Sequence, residues 1–232
     1  MPLESIDLSE IVWPYRPDIL IRLDFLQWYE EVGGSYFADR AEPLTPRAVL
    51  ANRDFIEAAL RHPYFISFTR KKRYRQLNLP RAESEEVYAE GIAAFINLLE
   101  AIQAKGFDRR HRISLSTGLF LLDPVDAECI RRSYYIGDGC HRFACMSWLA
   151  KGDPIPAVNF KLQRRLFFRP ETAFRPLMAL DVLDARAKSD FDRLFQKPGA
   201  SFWQDALVWA AAVRERFSTL DVSEILAVQI DF

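Results

Sequence analysis

Residues 133–160, SYYIGDGCHRFACMSWLAKGDPIPAVNF, constrain the chain most, because they compress a strand, a turn, a helix and a second strand into 28 residues. Tyr134, Tyr135 and Ile136 favour an extended segment, and Gly137-Asp138-Gly139 reads as a turn. Phe143, Met146 and Leu149 then recur at helical spacing until Lys151-Gly152-Asp153-Pro154 stops the helix. Residues 155–162 read as a second strand. The turn places Cys140, His141 and Arg142 in the first turn of the helix, where unpaired N–H groups and the positive end of the dipole attract anions. The pattern therefore predicts a phosphate site at a strand-to-helix junction.

The rest of the composition narrows the partners. Half of the 232 residues are hydrophobic, enough for a sizeable core in one elaborated domain or two small ones. A net charge of −1 implies neither a nucleic-acid backbone nor an anionic membrane as partner through bulk electrostatics. The start, MPLESIDLSE, has no basic or apolar leader, and no apolar run approaches the ~18 residues of a membrane span. Three cysteines, Cys129, Cys140 and Cys145, form no even-numbered framework and no CxxC pair, so a reducing, cytoplasmic compartment is expected.

Along the chain, residues 1–80 read as a mostly helical N-terminal extension and residues 81–232 as the domain that carries the site. Phe25, Trp28, Tyr29 and Val32 form an apolar stripe ending at Gly33-Gly34, and Thr45-Pro46 opens a second helix that Pro63 ends. The basic run Arg70-Lys71-Lys72-Arg73-Tyr74-Arg75 leads to a linker at 78–84. The clearest helix follows, over about 85–105: Tyr88, Ile92, Phe95, Leu99 and Ile102 fall at steps of four and three, and Gly106 supplies the stop. Its apolar face is expected to lie on a sheet of strands 113–122, 131–136 and 155–162, which makes the fold class α+β. Beyond residue 162 the segment to Pro176 is aromatic, basic and broken by Pro170, a crossing loop. Ser201 and Gln204 signal a helix to about 217, and Leu226, Val228, Ile230 and Phe232 alternate as a closing strand.

Asp138-Gly139-Cys140-His141-Arg142, with its flanking strands and helix, resembles the turn of the ParB/sulfiredoxin superfamily. Sulfiredoxins carry Gly-Cys-His-Arg there, free-serine kinases Asp-Gly-His-His-Arg, and ParB proteins a Gly-Glu-Arg-Arg variant. The likeness spans some 80 residues, a third of the chain. It implies a mixed sheet with packed helices, a bound nucleotide, and one of three activities: phosphotransfer, sulfinic acid reduction, or a non-enzymatic DNA-associated switch.

Each candidate residue has two readings. Arg142 is either an unpartnered surface residue or a fork for phosphate; a cation in a first helical turn opposes the dipole unless an anion is present. His141, one of three histidines, caps or packs, or else donates to a phosphoryl oxygen. Cys140 is a small residue at a close backbone approach, or a nucleophile whose thiolate is favoured by the helix start and opposed by the Asp138 carboxylate. Asp138 shapes the turn, or it holds Mg²⁺ or orients a substrate hydroxyl. Ser116-Thr117-Gly118 is a bulge, or it turns hydroxyls toward the nucleotide. Glu83, Glu85 and Glu86 are candidates for the glutamate base that the kinase-like relatives use, although helix-starting glutamates also serve the dipole alone. The Arg70 to Arg75 run is a solvated face or a phosphate contact, and Trp13, Tyr15, Trp28 and Tyr29 are core packing or a stacking platform.

Taken together these readings predict an ATP- or ADP-dependent phosphotransferase with Mg²⁺, acting on a small hydroxyl-bearing metabolite or glycan. Gly139, Cys140, His141, Arg142, Ser116 and Thr117 would hold the nucleotide, Asp138, His141 and Cys140 would serve catalysis, and Asp138 would ligate the metal. The alternatives are a sulfiredoxin-like reductase using Cys140 and a ParB-like binding module, the latter disfavoured by prolines where a helix-turn-helix would continue.

Overall fold

The computed structural model describes residues 4–12, 16–66, 80–123, 126–163, 177–178, 180–195 and 202–227, with the side chains of 12, 117–133, 226 and 227 outside that description. It is a mixed α+β fold with two small sheets and, among the described residues, nine α-helices. In chain order the elements are β1 (Ser5–Ile6), α1 (Leu8–Val12), α2 (Pro17–Glu31), α3 (Pro46–Ala51), α4 (Arg53–Leu60), α5 (Arg81–Lys105), β2 (Ile113–Asp123), β3 (Asp126–Asp138), α6 (Cys140–Leu149), β4 (Ile155–Pro156), β5 (Phe160–Gln163), α7 (Ala185–Arg193), α8 (Phe202–Ser218) and α9 (Val222–Ala227). No helix among the described residues is long and apolar enough to cross a membrane.

One hydrophobic cluster runs from Ile6 to Ile225 and draws on nearly every element. Pro17 at the helix start fits the fixed φ of proline, and α2 then buries Ile19, Leu20, Leu23, Phe25 and Leu26. Neighbours surround α2: it packs on α6 and α8, while α5 packs on α3, α4 and α6. The stripe of Tyr88, Ile92, Phe95, Leu99 and Ile102 is buried as its spacing predicts. Its main neighbours are helices, however, so the expected helix-on-sheet layer is replaced by helix-on-helix packing. The helix starts at Arg81, inside the expected linker.

Other boundaries move for local physical reasons. The single helix expected from Thr45 to Pro63 is two helices, because Asn52 leaves the helical region (φ −90°, ψ 91°) and its side chain accepts from Phe55 N at 3.1 Å, capping α4. The strand expected over 155–162 is also two. Ile155-Pro156 pairs with Ile6 and Ser5 in the small sheet, a 3₁₀ turn covers Ala157–Asn159, and Phe160 to Gln163 run parallel to β2. Leu226, expected in a closing strand, lies in α9, and 228–232 lie outside the described residues. The Arg70 to Arg75 run, Trp13, Tyr15, Ser201 and the loop from 164 to 176 also lie outside them.

In the larger sheet β2 is central, antiparallel to β3 and parallel to β5. Ser116, Thr117 and Gly118 pair regularly with Tyr135, Tyr134 and Ser133, so the expected bulge is absent there. The register shifts instead between Leu121 and Asp123 and between Ser114 and Leu115, the latter two pairing with Asp138 and Ile136 and leaving Gly137 as the extra residue. Asp138 therefore closes the strand, and the turn expected over 137–139 is reduced to Gly139 alone.

Candidate functional site

Gly139 sits at φ +97°, a conformation that residues with a Cβ rarely adopt, and it is the N-cap of α6 with no side chain capping the helix. A Cβ on Gly139 would stand 3.2 Å from Arg142 Nε and 3.3 Å from Cζ, so glycine also makes room for the guanidinium to fold back over the turn. The Phe143 N–H closes the first intrahelical bond on the Gly139 carbonyl at 2.8 Å. Phe143, Ala144, Cys145 and Trp148 then anchor the helix in the core.

The three residues that open α6 diverge. Cys140 points back to the N-terminal part of the chain, where Arg16 Nη2 donates to its sulfur at 3.0 Å. Arg16 is itself fixed: Nε and Nη2 bond the Asp18 carboxylate at 2.7 and 2.9 Å, Nη1 bonds the Ile136 carbonyl at 3.1 Å, and the guanidinium lies 4.9 Å from the Tyr135 ring centroid. Burial disfavours the Arg16 charge, but Asp18 and the Cys140 sulfur more than offset it, so the guanidinium pKa lies above its ordinary value. Arg22 shares Asp18 at 2.8 Å.

His141 turns inward. Its Nε2 lies 2.9 Å from the Tyr64 hydroxyl, and its ring meets Phe95 edge-on at 4.7 Å between centroids. Burial holds the Tyr64 hydroxyl well above its ordinary pKa, so it stays protonated beside the His141 ring. Arg142 turns the other way. Its Nη2 bonds Asp138 Oδ2 at 2.7 Å, and its Nη1 donates to the His111 carbonyl, with the Arg112 carbonyl at 3.5 Å. Cys145, one turn on, is buried, and burial pushes its thiol far up, which makes it chemically inert.

Arg142 and Asp138 face an open cleft of about 490 Å³ that is further lined by Arg109, Arg110, His111, Arg112, Ser114 and Lys161. Arg110 is balanced by Asp108, whose carboxyl its guanidinium holds down at about 2. Arg109, Arg112 and Lys161 are exposed and make no ion pair among the described residues. Ser114 Oγ accepts from Gln163 Nε2 at 3.2 Å.

Of the residues expected at the site, Asp138 and Arg142 are thus together on one cleft with Gly139 joining them along the chain, while Cys140 and His141 are engaged elsewhere at the same helix start. Ser116 is buried within β2 at 6% exposure and does not line the cleft; Ser114, two residues earlier, does. The Thr117 side chain lies outside the description. Glu85 is buried and committed to Arg53 at 2.9 Å and Arg81 at 2.8 Å: burial raises its carboxyl pKa, and the two arginines more than reverse that. Glu83 and Glu86 are exposed on the first turns of α5, and Trp28 and Tyr29 are core residues.

Sequence reading passed over Arg16, Tyr64, Lys161 and the run from Arg109 to Arg112. Only the last carried a local signal, four basic residues in succession just before a strand. Asp138 supplies a single carboxylate, and no group of three His, Cys, Asp or Glu among the described residues could hold a metal. No family model, no curated protein and no solved structure matches the chain.

Proposed function

We propose that this protein is a nucleotide-dependent phosphotransferase that lays the phosphates of ATP or ADP on the start of α6 and its cationic cleft, and passes the terminal phosphoryl group to a small hydroxyl-bearing metabolite or glycan. The observation that carries this reading is the cleft itself. Three cations with no ion pair among the described residues line it together with the anchored Arg142, beside a helix start that no side chain caps. The order of β3, Gly139 and α6 supports it as well, since it fits the strand–turn–helix junction of the ParB/sulfiredoxin superfamily that Asp138-Gly139-Cys140-His141-Arg142 resembles.

In this reading catalysis is positioning plus electrostatics. Asp138 orients Arg142 through Oδ2, and its other oxygen accepts the acceptor's hydroxyl proton. The hydroxyl oxygen forms the new O–P bond as the bond from the terminal phosphorus to the bridging oxygen breaks, and ADP or AMP leaves with the electron pair. Arg142 and the free N–H groups at the start of α6 neutralise charge on the equatorial and leaving oxygens. Mg²⁺, if bound with the nucleotide, would supply further charge neutralisation, and Asp138, the one carboxylate lining the cleft, would then be its protein ligand in place of accepting the proton. His141 serves through position, held against the Tyr64 hydroxyl at 2.9 Å.

A second reading is favoured by one distance. The 3.0 Å approach of Arg16 to Cys140 sets a fixed guanidinium beside a sulfur, an arrangement suited to thiol chemistry of the sulfiredoxin kind. Thermal unfolding with ATP, ADP and CTP, each with Mg²⁺, tests both readings. A nucleotide at ~100 times its Kd stabilises by about 2.7 kcal/mol, a shift of about 5–10 °C in a chain of this size. The wild type should show that shift and Arg142→Ala should lose it. Cys140→Ser should keep nucleotide binding and phosphotransfer. Loss of turnover in Cys140→Ser with binding intact would transfer the assignment to thiol chemistry, and no shift with any nucleotide would sink both.

A further inference from the structure

The row of residues across the sheet gives the cleft a direction. Ser114 on β2 pairs with Asp138 on β3 at one side and with Lys161 on β5 at the other. Neighbouring strands lie ~4.8 Å apart, so the backbones of Asp138 and Lys161 stand about 10 Å from one another with Ser114 between them. One end of the cleft is the Asp138–Arg142 pair at the helix start. The other is Lys161. The 3₁₀ turn Arg109–His111 and Arg112, whose His111 carbonyl is bonded by Arg142, bring two more cations to the same cleft.

Charge is unevenly balanced between these ends. Arg142 has Asp138 at 2.7 Å and Arg110 has Asp108 at 2.8 Å, whereas Arg109, Arg112 and Lys161 have no carboxylate within pairing distance among the described residues. Clustered like charges repel, and a neutral hydroxyl compound would leave that repulsion in place. A ligand with an anionic group at the Lys161 end would relieve it. Its hydroxyls would meet Ser114 midway, and its reacting hydroxyl would reach Asp138.

We infer that the acceptor is itself an anion, a hydroxyl compound of roughly monosaccharide length bearing a phosphate or carboxylate group, bound by Arg109, Arg112 and Lys161 with its reacting hydroxyl toward Asp138. This rests on the phosphotransferase reading, which assigns the helix start to the nucleotide. The class is recognised by chemistry alone: an anionic group and a reacting hydroxyl at opposite ends of a compact molecule. Sugar phosphates and sugar acids both meet it.

Thermal unfolding and calorimetry with glucose 6-phosphate, glucuronate, glucose, inorganic sulfate and ATP–Mg²⁺ separate the possibilities. In the wild type, glucose 6-phosphate or glucuronate should raise the Tm by several degrees while glucose and sulfate at equal concentration do not. The double variant Arg112→Ala/Lys161→Ala should weaken the anionic probes at least tenfold and leave the ATP response in place. Arg142→Ala should do the reverse. If neither anionic probe binds while ATP does, or if sulfate matches them, the anionic acceptor is wrong and the nucleotide reading stands. If the double variant loses ATP together with the probes, the whole cleft is a nucleotide site and the inference is overturned. Binding of the probes without any ATP response would keep the anion site and remove the nucleotide from it. A single variant, Lys161→Gln, guards against misfolding of the double variant and should weaken the same probes.

Discussion

Gly139 is where backbone conformation and site chemistry meet in one residue. Its φ of +97° is open to glycine, and the missing side chain is what lets the Arg142 guanidinium lie within contact of the turn. Gly139→Ala should therefore destabilise the fold by about 1–2 kcal/mol through backbone strain. It should also push Arg142 off Asp138, so nucleotide affinity should fall further than stability. Urea unfolding together with calorimetric titration reads both, and a variant with wild-type stability and affinity would remove Gly139 from the account. At this scale the motif of five residues was legible, but the directions of its side chains were not. Cys140 is aimed by a residue 124 positions away, His141 by one 77 away and Arg142 by a carbonyl 31 away. No local pattern contains such partners. Ser116 and Ser114 show the same limit: hydroxyls two residues apart differ in role because one is buried in the sheet and the other borders the cleft.

Elements were legible where periodicity was long and unopposed. The 25-residue α5 and the hairpin strands follow from spacing and β-branched or aromatic runs. Errors came where a short side chain or a distant strand decided the outcome. Ile155-Pro156 leaves the main sheet because Ser5-Ile6, far away in sequence, offers it a partner. The stretch from 46 to 60 breaks because the Asn52 side chain competes for the backbone and caps the next helix. Removing that cap tests the explanation. Asn52→Ala should cost about 1 kcal/mol, read as a lower urea midpoint with an unchanged m value, while the ligand response of the cleft remains that of the wild type. A neutral result would mean that packing of Phe55 and Ile56 alone ends one helix and starts the next.

Across the whole molecule the N-terminal helices are built into the same core as the site. Asp24 of α2 is fully buried, with His62 Nε2 at 3.0 Å and Arg214 Nε of α8 at 3.5 Å, so one carboxylate ties together early, middle and late parts of the chain. His62 Nδ1 accepts from Tyr64 N at 3.0 Å, which puts its proton on Nε2, facing Asp24. The same short turn carries the Tyr64 hydroxyl that holds His141, so the core network and the helix start share a support. Burial lowers the His62 pKa, with Arg214 adding to the effect, and the attraction of Asp24 does not reverse it. The sign of the linkage follows. Below about pH 6.5 the unfolded chain takes up a proton at this histidine while the folded chain does not, so stability is full above that pH and declines as the pH falls toward the lower folded value. The expected slope approaches ~1.4 kcal/mol per pH unit for one proton. Urea midpoints between pH 8 and pH 5 should therefore fall on the acid side in the wild type, and His62→Gln, less stable throughout, should lose that part of the decline. A His62→Gln curve running parallel to the wild type would mean that the acid sensitivity arises elsewhere and that His62 binds its proton equally well folded and unfolded.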